Sequence, residues 1–154
     1  HFSMNQHFDH HLTIRQNILK ACVDLSLEQI NAIPEGFNNS IGWNLAHVIV
    51  TQQLLLYKMS YNDLVVSEEL VAGFRKGTKP DGSLSQEELD QINDLMQKTS
   101  YQARTDHERG LFQRYKVYET SFGVNLAGIE DAIVFNNIHE SMHLGTIKAM
   151  KNLV

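Results

Sequence analysis

A chain of 154 residues, 42% hydrophobic and 20% charged, has the length and balance of one soluble globular domain that can bury a core of its own. Its net charge of −5, with the basic residues scattered, excludes the electrostatic footprint of a nucleic-acid binder. A single cysteine, Cys22, excludes an internal disulfide and fits a reducing cytoplasm, and no apolar run reaches the roughly 18 residues that a membrane span requires.

The start, His1-Phe2-Ser3, has neither the charge nor the apolar core of a signal peptide and reads as a remnant ahead of a domain over 4–154. From Asn5 to about Ile33, Phe8, Leu12, Leu19, Cys22, Val23 and Ile30 recur at helical spacing, and Pro34-Glu35-Gly36 ends that helix. His7, His10 and His11 crowd its first turns and read as a solvated helix start. Cys22 lies on the inner stripe and reads as packing.

Asn38-Asn39-Ser40 offers N-caps for a second helix, Ile41 to about Met59. Its apolar residues run almost all the way round, so it should be buried on more than one side, and His47 within it needs a partner. Residues 60–82 then form a long connection with Gly73, Gly77, Pro80 and Gly82 and one short helical turn after Ser67. About 25 residues can stretch up to about 80 Å against a helix of about 28 Å, so the link can cross the molecule and let the third helix run parallel to the second.

Ser85-Gln86-Glu87-Glu88 is a capping box that starts the third helix, with Leu89, Ile92, Met96, Thr99 and Ala103 as its inner stripe and an end near Arg109-Gly110. His107 reads as a surface residue. The aromatic segment 111–128 fits a short hairpin, a lid over a cavity or a strap over the bundle end, with the strap placed first. The last helix begins near Ile129, with Glu130 and Asp131 at its positive end and Lys148 and Lys151 at its negative end. The pattern is all-α, a four-helix bundle with a long crossover between its second and third helices.

His139-Glu140-Ser141-Met142-His143 places two imidazoles four residues apart on one face of that last helix, with Asn136 one turn earlier. If the second and last helices are antiparallel neighbours, His47 comes to the same height and can add a third nitrogen. Three neutral imidazoles suit zinc or nickel, with copper and ferrous iron also compatible, and leave a coordination position open. Such an ion could lower the pKa of bound water or hold a thiol as thiolate. Asn136, Thr51 and Glu140 are candidates to orient the rings. The alternative is a set of separate core histidines, each hydrogen-bonded to backbone or water.

Asn39-Ser40-Ile41-Gly42-Trp43-Asn44-Leu45-Ala46-His47-Val48 and His139-Glu140-Ser141-Met142-His143-Leu144-Gly145-Thr146-Ile147 resemble the two histidine-bearing motifs of the DinB/YfiT-like superfamily. The resemblance covers the chain from about Met4. It implies an up-down-down-up bundle and a metal held by one histidine of the second helix and two of the fourth, roles that fall on His47, His139 and His143. It implies no polymerase activity; relatives include transferases and isomerases that use low-molecular-weight thiols.

Three functions follow as expectations. The first is a metal-dependent S-transferase joining a small thiol to an electrophile. The second is a metal-dependent hydrolase, since His-Glu-x-x-His matches the zinc-peptidase signature with Glu140 as general base, although Glu140 also reads as a surface charge. A peptidase is disfavoured because only 11 residues follow His143 and the extended three-histidine pattern is missing. The third is a non-enzymatic metal-binding bundle, with the apolar second helix packed across a homodimer boundary.

Overall fold

The computed structural model describes residues 3–154; the remnant expected at the start lies outside the described residues apart from Ser3. The chain is mostly helical. Helix α1 (Asn5–Cys22) buries Phe8, His11, Arg15, Ile18 and Cys22 along one stripe. It stops earlier than the periodicity suggests. Val23 is 81% exposed, and Ser26 restarts the chain as α2 (Leu27–Asn31) through a reciprocal capping box with Gln29. A cap that satisfies two backbone donors wins over continuing the first helix.

Helix α3 (Ile41–Leu56) is capped by Ser40, whose hydroxyl accepts from Trp43 N. Every residue of α3 except Thr51 and Leu54 is buried, so its apolar faces are covered by the chain itself. That removes the apolar helix as a reason to expect a dimer. Gly42 explains how closely α2 approaches, because a Cβ there would fall 2.8 Å from Leu84 Cδ1 and 3.3 Å from the Ile30 carbonyl oxygen. The helix ends three residues before Met59, in a 3-10 turn over Lys58–Ser60 closed by Tyr61 in the left-handed region at φ 62°.

The long connection carries α4 (Glu68–Phe74), capped by Ser67 as its sequence indicates. Leu70 and Phe74 lean on the core. Helix α5 (Gln86–Glu108) opens on the Ser85/Glu88 capping box and buries all five residues of its expected stripe. Of the three readings of segment 111–128, the short hairpin forms rather than the strap placed first. Strands β1 (Tyr118–Glu119) and β2 (Asn125–Leu126) pair antiparallel with Tyr118 opposite Leu126, and Gly123 takes φ 85° between them. Helix α6 (Ile129–Lys151) follows, acidic in its first turn and basic in its last.

Two apolar clusters fill the interior. One joins Ile18, Ile41, Leu45, Met96, Ile147 and Met150; the other joins Phe8, Leu56, Ala103, Leu126, Ile133 and Phe135. Between them lies a buried polar layer to which all four long helices contribute, α3 from its last turns. It holds His11 and Arg15 of α1, Gln52 and Gln53 of α3, Thr99 and Ser100 of α5, and Asn136 and Glu140 of α6. Buried polar groups are tolerated only where they are hydrogen-bonded, and the residues of this layer largely satisfy one another. No helix among the described residues is long and apolar enough to cross a membrane.

Candidate metal centre

His47 lies in the second turn of α3 and is only 4% exposed. Its ring stacks on Trp43, one turn earlier, with centroids 4.3 Å apart and planes 13° from parallel. Its Nδ1–H donates to the carbonyl oxygen of Phe74, at the end of α4, at 2.8 Å. A carbonyl can only accept, so this bond fixes the tautomer and leaves Nε2 as an acceptor, 3.4 Å from the Thr51 hydroxyl. The long crossover therefore does more than span the molecule. Its backbone orients a histidine.

His143 is held in the same way from α3. Its Nδ1–H donates to Asn44 Oδ1 at 2.7 Å, while the Asn44 amide nitrogen donates to Asn39 Oδ1 and to the Ser40 carbonyl. Those donations settle which amide atom faces the ring, and His143 also keeps a bare Nε2. That nitrogen stands 3.2 Å from His139 Nε2. The three rings face one another with centroids 4.5 to 5.3 Å apart, and one nitrogen from each lies within 4.8 Å of the others.

The donor set fits a divalent transition ion. Two nitrogens bound tetrahedrally at about 2.0–2.1 Å stand about 3.3 Å apart, close to the 3.2 Å separation of His139 and His143. Without a cation the pair is poorly satisfied. If His139 carries its proton on Nε2 it can donate to His143, but its buried Nδ1, which has no partner, goes without a donor. If the proton sits on Nδ1, two lone pairs face each other. A shared cation uses both lone pairs, and only Nδ1–H of His139 then lacks a partner.

Burial lowers the pKa of all three rings. His139 falls to about 4, through desolvation and then the neighbouring His47. His143 falls to about 3, through desolvation and then His139 and His47. His47 is lowered chiefly by burial, against the raising effect of its bond to Phe74, with the Lys76 charge adding to the lowering. All three are thus neutral imidazoles near pH 7, the form that binds metal.

A cavity of about 610 Å³ opens beside His47 and His139, within the range of small-molecule sites. Leu54, Phe122, Phe135 and Met142 give it an apolar side; Thr51, Thr120 and Ser121 add hydroxyls; Lys58, Arg75 and Lys76 add cations. The hairpin thus lines this cavity.

Glu140 is far from a surface charge. It is fully buried, and Arg15 grips it at two points, Nε to Oε1 at 2.5 Å and Nη2 to Oε2 at 3.0 Å. His11 Nε2–H and the Asn136 amide also donate to Oε2, each at 2.8 Å. Burial alone would raise its pKa, but Arg15 and then His11 outweigh that and hold the carboxyl well below the usual range. A carboxylate so held is a weak proton acceptor, and it does not line the cavity.

Two residues of α1 in this network escape the sequence reading. His11 reads as part of a solvated helix start, yet it is 3% exposed and also lies 2.7 Å from Ser100 Oγ. Arg15 carries no motif that marks it. The signal is present all the same, since His11 and Arg15 fall between Phe8 and Ile18 on one stripe at helical spacing. His10 is exposed and His7 half-buried, and His107 leans on Phe8. Among the three residues expected to orient the rings, Thr51 comes within 3.4 Å of His47 Nε2, whereas Asn136 and Glu140 bond to each other. Phe74 and Asn44 take the orienting role instead.

No curated protein matches this chain. A family model does: it is described as the DinB superfamily and covers residues 6–147, a span that takes in all three converging histidines. The chain belongs to the DinB superfamily.

Proposed function

We propose that the protein is a metal-dependent enzyme in which His47, His139 and His143 hold one divalent transition ion, zinc or nickel before copper or ferrous iron. The observation that carries this reading is the outward locking of two rings. Phe74 and Asn44 take the Nδ1–H groups of His47 and His143, so their free lone pairs turn toward one point beside an open cavity.

The reaction we propose is transfer of a small thiol to a small electrophile, in keeping with superfamily membership. When bound, the ion would supply Lewis acidity, enough to keep a thiol deprotonated near neutral pH. The chain's own residues would bind and orient. The apolar side formed by Leu54, Phe122, Phe135 and Met142 would exclude water from the electrophile, and the Thr51 hydroxyl stands beside the trio. Cys22 is buried in the apolar core and takes no part.

Two other readings are weaker on specific grounds. Hydrolysis with Glu140 as general base would need a carboxylate that is now gripped by Arg15 and set back from the cavity. A role confined to holding a metal makes no use of the cavity beside the trio.

We also read α1, α3, α5 and α6 as an up-down-down-up bundle within a single domain over 4–154. Cross-helix contacts support it. His7 meets Asn137 while Asp24 meets Lys151, which favours parallel α1 and α6. Gln52 meets Thr99 while Tyr57 meets Asp106, which favours parallel α3 and α5. Asp9 meets Arg104 while Arg15 meets Met96, which favours antiparallel α1 and α5.

The test is turnover. Zinc- and nickel-loaded protein is screened with low-molecular-weight thiols against an activated haloarene, beside His143→Ala. Thioether formation that disappears in the variant supports S-transfer. Ester hydrolysis that disappears in Glu140→Gln while that variant keeps its helical and metal content, with no thioether formed, would replace it by the hydrolase.

A further inference from the structure

We infer that the cavity beside the histidine trio receives an anionic small molecule, whose carboxylate or phosphate is held by Arg75, Lys76 and Lys58. The inference rests on the trio being the reaction centre and adds the charge class of what that centre receives.

The wall of the cavity carries three cations and no Asp or Glu, in a chain whose net charge is −5. Acidic residues outnumber basic ones in the sequence, yet none faces this space. None of the three cations takes part in an ion pair among the described residues. Lys76 lines the same cavity as His47 and His139.

The placement of Arg75 and Lys76 ties this charge to the centre. They directly follow Phe74, whose carbonyl oxygen holds His47. The next turn is pinned as well: Thr78 Oγ1 donates to the Arg75 carbonyl at 2.7 Å and accepts from Trp43 Nε1 at 3.1 Å. One short backbone stretch thus orients the ring, bonds to the residue stacked on it, and carries two cations to the cavity rim. A cationic ligand would meet repulsion from these side chains and from a divalent ion alike. An anionic head on the rim with an apolar remainder against Phe122 and Met142 satisfies both sides of the wall.

The experiment is an NMR titration of the zinc-loaded full chain with inorganic phosphate and, separately, succinate. It is repeated on chelated protein, on R75Q/K76Q, and on K20Q/K98Q, which removes the same charge from exposed positions outside the cavity. The expected result is saturable shifts at 75–77 and 120–122, about tenfold weaker binding in R75Q/K76Q, and no change beyond about twofold in K20Q/K98Q. About 1 M salt, where the screening length falls to about 3 Å, should weaken it too. The tighter of the two anions identifies the head group. Equal affinity in R75Q/K76Q and wild type, or equal losses in both double variants, would overturn the inference. Persistence of the shifts in a protein that takes up no zinc would overturn the metal reading and leave the anion site standing.

Discussion

Arg15 and Glu140 meet as a two-point ion pair at the centre of the bundle, both wholly shielded from solvent, 125 residues apart in sequence. Glu140 directly follows His139, so the pair anchors the part of α6 that presents the histidines. Removing one partner of such a pair leaves the other charge buried and uncompensated, at about 3–5 kcal/mol. Glu140→Gln is expected to lower unfolding free energy by about that much in denaturant titrations. A loss under about 1 kcal/mol would show that the network contributes little.

The same carboxyl gives the fold an acid limit. Its folded pKa is depressed, so its contribution is fully present above the unfolded value of about 4.3 and is lost as pH falls toward the folded value. Wild-type stability should therefore drop more steeply below about pH 4 than that of Glu140→Gln. Parallel pH profiles for the two proteins would contradict this.

Asn44 holds His143 from across the α3–α6 interface. Asn44→Ala is expected to weaken zinc affinity by about 10–100-fold, with helical content unchanged, because the ring loses the acceptor that fixes its tautomer. Competition with a chromogenic chelator measures it. Unchanged affinity would mean that packing alone orients the ring.

Cys22 is buried, and desolvation raises its thiol to about 11, against a small lowering by Lys151. The thiolate at pH 8 is then about a thousandth of the total. Alkylation of the folded protein should be slow at that pH and should speed up on unfolding, and Cys22→Ser should leave turnover unchanged. Rapid modification of the native protein would contradict the assignment to the core.

What the sequence makes legible is whatever is encoded locally. The Ser85/Glu88 capping box and the α5 stripe need only neighbours within a turn or two, and both appear as expected. The histidine trio is legible through two short motifs. The break after Cys22 is harder to read although Ser26 and Gln29 are a visible capping box, because apolar spacing continues past it. The hairpin is one of three open readings and is not singled out, because strands of two residues show no alternation. Arg15 and His11 are hidden for a different reason. An arginine or histidine on an inner stripe reads as an error of pattern until its partner is known, and Glu140 sits on another helix.

The most direct test of the central claim is metal content by mass spectrometry on tag-free protein purified without chelators, set beside His47→Ala and His143→Ala. A three-histidine centre predicts about one divalent transition ion per chain in the wild type and a loss of most of it in each variant, with helical content retained. Equal content in wild type and His47→Ala would contradict it.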